Sequence, residues 1–152
     1  MKRRGTVVFA ILTALLLCFI WGQSMLPRDR SAGESRLVMR YIKPLLDPKD
    51  RIDSDLFHHL LRKTAHFTEY AALGLSVSGL RFSLRWKKIG KCALAALAFC
   101  VLAAAMDETI QLFAADRGPQ LRDVLLDTCG ALFGIAAYVL PIIFRRQATG
   151  TK

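Results

Sequence analysis

Acidic residues are scarce in this chain, and residues 1–28, 70–106 and 128–152 contain no Asp or Glu at all. Cysteine is sparse too. The four present, Cys18, Cys92, Cys100 and Cys129, fall within apolar runs and form no CxxC pair. That argues against a disulfide framework or a cysteine-based zinc site and leaves them as small apolar packing residues. There is no H-E-x-x-H pattern, internal repeat or low-complexity segment. The net charge of +10 comes without a helix-turn-helix, zinc-finger or RNA-binding signature, so no nucleic-acid partner is expected.

What the chain does have is apolar residues in blocks. They make up 53% of the sequence, and the blocks predict spans at about 5–22, 64–81, 89–107 and 124–144. Crossing about 30 Å of hydrocarbon takes near 20 apolar residues, which the first, third and fourth supply closely. The second is weaker and carries His66 and Glu69, so it needs a bundle with its polar face turned inward. The first and last are apolar all round, as in a membrane span rather than a soluble core helix. The start Lys2-Arg3-Arg4 suits a signal peptide. The apolar run is longer than a usual h-region, however, and no A-x-A-like site follows, so an uncleaved anchor is expected.

With these spans, all twelve acids fall on one side. The other side receives Lys2, Arg3, Arg4, Arg81, Arg85, Lys87, Lys88, Lys91, Arg145, Arg146 and Lys152. Short flanking loops rich in Lys and Arg stay in the cytoplasm. The expectation is therefore all-α: a single domain over 1–152, an integral membrane bundle of four transmembrane helices with both termini cytoplasmic. A partly helical outer loop covers 23–62 and a basic inner hairpin 81–91, with Trp86 at the interface. In the outer loop, Leu37, Val38, Tyr41, Ile42, Leu45 and Leu46 share a helical face, which suits either headgroup contact or a cap on the bundle. Pro44 should bend or limit that helix, Asp47-Pro48 reads as a turn, and Ser54 reads as an N-cap.

The inferred topology gathers polar residues at the outer end. Arg62, His66 and Glu69 share a face of the second span. Glu69 lies about 9 Å along the axis from Lys63, deep enough to need a partner or a proton. Asp107, Glu108 and Gln111 end the third span, Arg117 lies in the loop, and Arg122 and Asp123 open the fourth. Asp123, Asp127, Gly130 and Gly134 form one stripe, and the two glycines let another helix approach closely. A cation ring of Arg62, Lys63, Arg117 and Arg122 suits phosphate or carboxylate groups. His66, Glu69, Asp107 and Glu108 are the candidate acid–base residues. Tyr70, Gln111, Asp123 and Asp127 join the basic ring as ligand-binding candidates. His66-x-x-Glu69 alone is weak evidence for a metal, so no resident metal and no cofactor are expected.

Three ordered blocks carry a family resemblance. Arg62-Lys63-x-x-His66-x-x-Glu69-Tyr70, Asp107-Glu108-x-x-Gln111-x-Phe113-x-x-x-Arg117 and Asp123-x-x-x-Asp127-x-x-Gly130-x-x-x-Gly134 together resemble the VanZ-like family. These are small bacterial membrane proteins whose namesake is associated with resistance to the glycopeptide teicoplanin. One position departs from the family pattern, which usually has Asn where this chain has Asp127; an ionised carboxylate only accepts hydrogen bonds. The resemblance implies a bacterial cytoplasmic-membrane protein with an envelope function, and it brings no settled reaction. The first expectation is an outer polar pocket that binds a lipid headgroup, a cell-wall precursor or a glycopeptide and lowers glycopeptide susceptibility. The alternative is a membrane-embedded hydrolase or transferase acting on a lipid or lipid-linked precursor. Transport by four spans would require an oligomer, and a purely structural hydrogen-bonded latch is the remaining reading.

Overall fold

A computed structural model describes residues 2–26, 28–84, 88–113, 120–148 and 150, with backbone alone for 2–3, 28–32 and 34–35. The chain forms α1 (Lys2–Met25), α2 (Arg28–Leu46), α3 (Ser54–Ser83), α4 (Ile89–Gln111) and α5 (Leu121–Ala148), with no strand among the described residues. Three segments are long and apolar enough to cross a membrane: Arg4–Met25, Ile89–Gln111 and Leu121–Ala148. The expected second span lies within α3, whose charged first half keeps it out of that group. At 30 residues, α3 is nevertheless about 45 Å long. Arg117 and Trp86 lie outside the described residues.

α3 is the hub, packing against each of the other four helices. Small residues make this contact close. A Cβ on Gly130 would meet the Phe67 carbonyl, one on Gly134 the Ala71 carbonyl, and one on Gly74 the Ala131 carbonyl. α3 and α5 thus run side by side in the same direction, nearly backbone to backbone. Around them Tyr70, Leu73, Val77, Ala96, Cys100, Ala103, Ala104, Ile135 and Val139 fill the core.

Some of the polar atoms inside this apolar body are matched across helices. Thr13 and Ser76 hydroxyls lie 3.0 Å apart, Ser76 donates to the Phe9 carbonyl, and Trp21 Nε1 donates to the Ala103 carbonyl at 3.3 Å. These contacts tie α1 antiparallel to α3 and parallel to α4. The start of α1 and the end of α5 share one end of the bundle, where Phe9 and Tyr138 meet edge-on at 6.1 Å. Arg81, Lys91, Arg145 and Arg146 belong to that end by their helix positions. The other end brings together the end of α1, the start of α3, the end of α4 and the start of α5.

The α2–α3 connection corrects one expected cap. Helix α3 begins at Ser54, but its N-cap is Asp53, whose carboxylate accepts the Asp55 and Leu56 N–H groups. Ser54 Oγ instead accepts from Lys43 Nζ, which also pairs with Asp50 at 2.6 Å. Pro44 sits in the last turn of α2, two residues before the helix ends. Leu37, Val38, Tyr41, Leu45 and Leu46 are all exposed. In the turn that follows, Asp50 takes φ 48°, a left-handed conformation that Asp tolerates. Asp47 Oδ1 and Oδ2 accept the Arg51 and Ile52 N–H groups at 3.0 and 2.7 Å.

Those two bonds, the Ile52 bond first, hold the Asp47 carboxyl below its ordinary value of 3.8. A lowered folded pKa contributes stability that is fully present above the unfolded value and lost as pH falls through the folded one. Hydrogen exchange of the Arg51 and Ile52 amides should therefore be slow and pH-insensitive in its protection above about pH 5. Protection should fall in stronger acid, and Asp47→Ala should abolish it at every pH.

Candidate functional site

The four helix ends that meet opposite the basic end form a buried polar junction. Asp107 on α4 and Asp127 on α5 are both 0% exposed. Neither location is accidental in local terms. The Gly130 and Gly134 contacts pull α5 against α3, and Asp127 stands one turn before Gly130 on the same stripe. Asp107 lies one turn before Gln111, whose amide donates to Asp107 Oδ2 at 2.9 Å and approaches Ser24 Oγ at 3.4 Å. Ser24 joins the site with little signal in the sequence beyond the polar run Gly22-Gln23-Ser24 closing an apolar helix.

His66 on α3 completes the group. Its Nδ1 is 3.8 Å from Asp127 Oδ1, and the ligand-type atoms of His66, Asp107 and Asp127 all lie within 4.8 Å of one another. The structure brings Asp127 to His66, while Glu69, expected to need a partner or a proton, is half-buried within electrostatic reach of Asp107. Tyr70 is fully buried, with its hydroxyl near Asp107 and Asp127 and no hydrogen-bond partner among the described residues.

The remaining candidates surround this trio. Lys63 pairs with Asp123 and joins the N-terminal parts of α3 and α5. Glu108 is buried, and its Oε2 accepts the Gln120 N–H at 2.7 Å, which ties α4 to the residue just before α5. Arg62 is half-buried one turn before His66, and Arg122 is exposed. Phe113 is 87% exposed at the end of α4. Arg117 cannot be placed relative to these groups, since it lies outside the described residues.

Chemically, the junction holds a base next to a carboxylate, a second carboxylate oriented by an amide, and a buried phenol. Such a set can bind a cation, position a polar headgroup or move a proton. No curated protein and no solved structure matches the chain. The model of the VanZ/LLP1 family matches residues 9–145, a region that includes all of the polar junction and every helix that builds it. The chain is a membrane protein of the VanZ/LLP1 family.

Proposed function

We propose that this protein acts in the bacterial cytoplasmic membrane, lowering susceptibility to glycopeptides such as teicoplanin through an outward-facing polar pocket. In this reading α3 is a fourth span, shielded from lipid by the three apolar helices, and both termini are cytoplasmic. The partition of charge supports the orientation: Lys and Arg flank one end of the bundle and every acid falls toward the other. The observation that carries the pocket is the convergence of His66, Asp107, Asp127 and Gln111 from three helices. Charged groups within spans are costly and mark functional sites. The ligand class is one bearing phosphate or carboxylate groups, met at the rim by Arg62, Lys63 and Arg122. A headgroup, a wall precursor or the glycopeptide itself fits that description.

A second reading is catalytic, as a hydrolase or transferase on a lipid-linked precursor. The 3.8 Å approach of Asp127 to His66 favours it, because a carboxylate beside an imidazole strengthens a general base.

Susceptibility to teicoplanin and vancomycin in a Gram-positive host tests the first reading, with wild type, Glu69→Gln and Asp107→Asn at matched membrane levels. Wild type should raise the inhibitory concentration of teicoplanin several-fold, and both variants should lose most of that protection. Equal protection by all three would remove the pocket from the function. No protection by wild type would remove glycopeptide response itself.

A further inference from the structure

We propose that His66, Asp107 and Asp127 form a binding site for one divalent transition-metal ion, of the Zn2+ or Mn2+ class. Two independent observations converge, and the chemistry of the donor set agrees with them. The first is geometry: one imidazole and two carboxylates, from three different helices, have their ligand atoms within 4.8 Å of one another. A tetrahedral ion with bonds of 2.0–2.2 Å sets its donors about 3.4 Å apart. The 3.8 Å between His66 Nδ1 and Asp127 Oδ1 is close to that spacing. The widest separation needs a contraction of about 1.4 Å or less, within the reach of side-chain rotation.

The second observation is an orphaned buried carboxylate. Asp127 is 0% exposed, and neither of its oxygens accepts a hydrogen bond among the described residues. Buried carboxylates that serve only the fold are ordinarily bonded by donors. Asp127 faces His66 instead, with Asp107 and the Tyr70 hydroxyl close by.

A divalent ion bound there would take the oxygens of Asp127 as ligands. The imidazole suits Zn2+ and disfavours Mg2+ and Ca2+, which prefer all-oxygen sets, while the two carboxylates also suit Mn2+. The Gln111 amide that donates to Asp107 Oδ2 is the outer hydrogen bond such a ligand ordinarily has. His66 is half-buried, its side chain 23% exposed, so the ion has a path in. Three protein ligands leave at least one position open for water or for an oxygen of a bound ligand.

The test uses the full chain purified in detergent, stripped with a chelator and dialysed separately against Zn2+, Mn2+ and Mg2+. Metal content is read by elemental mass spectrometry and affinity by competition with a chromophoric chelator, while circular dichroism reports the fold. Wild type should hold one equivalent of Zn2+ or Mn2+ and no Mg2+. Asp107→Asn and Asp127→Asn should each weaken binding by at least about 100-fold, beyond the 10–100-fold typical of outer partners. Asp55→Asn, at an exposed carboxylate in the first turn of α3, should leave binding unchanged. If one variant loses its helicity, the other and His66→Gln decide. Less than one equivalent in wild type, equal retention of Mg2+, or wild-type affinity in folded Asp107→Asn and Asp127→Asn would each overturn the site. None of these outcomes depends on the antibiotic experiment.

Discussion

Gly134→Ala should cost the folded protein about 2–4 kcal/mol, enough to shift most of it into aggregate on detergent extraction. The new Cβ has nowhere to go. It would meet the Ala71 carbonyl oxygen and carbon and the Leu75 nitrogen, all backbone atoms of α3. No side-chain rotamer can relieve that overlap, so the two helices must separate. Separation would then open the Gly130–Phe67 and Gly74–Ala131 contacts as well. Gly5→Ala and Gly22→Ala are the controls, since nothing lies within 4 Å of a Cβ at either position. Fluorescence-detected size exclusion after a heat challenge separates the cases. A Gly134→Ala protein as monodisperse as Gly22→Ala would mean that α3 and α5 are not in backbone contact.

The second large effect runs the other way. Chelator-stripped Asp127→Asn should be more stable than chelator-stripped wild type by about 1–3 kcal/mol. The substitution keeps the shape, removes a buried carboxylate whose oxygens accept no hydrogen bond among the described residues, and supplies an amide that can donate toward Asp107. The same variant should lose the metal site, because a site that binds strongly is assembled at the expense of stability. Adding Zn2+ or Mn2+ should reverse the order by stabilising only wild type. Melting curves with and without metal measure both signs. A stripped Asp127→Asn protein that melts below stripped wild type would make Asp127 a structural latch.

The all-helical class, the three long apolar helices and the family were legible because hydrophobic blocks and the spaced polar motifs are properties of the sequence itself. Asp127, Gly130 and Gly134 could be read as one stripe for the same reason. The partner of His66 could not. Helical spacing places His66 and Glu69 on one face, but the carboxylate that reaches the imidazole depends on the register of α5 against α3. That register is set by carbonyl-to-glycine contacts, and Phe67 and Ala71, which supply the carbonyls, carry no polar signal. Ser24 was illegible because its role needs α1 to lie beside α4. At the α3 cap, Asp53 and Ser54 are both good capping residues; Lys43 claims the Ser54 hydroxyl from another helix, which no local pattern reveals.

The parallel pairing of α3 with α5 also imposes an order on biosynthesis. Synthesis runs from the N-terminus, so α3 emerges well before the helix that covers its Gly74 face. At about 5–20 residues per second the interval is on the order of 3–10 s. During that time His66 and Glu69 lack the α4 and α5 groups that surround them in the finished protein. The nascent chain must therefore hold its most polar helix in waiting, with α1 as its first partner through Thr13 and Ser76. Ribosome-stalled chains ending before and after α5 would differ in whether α3 resists protease.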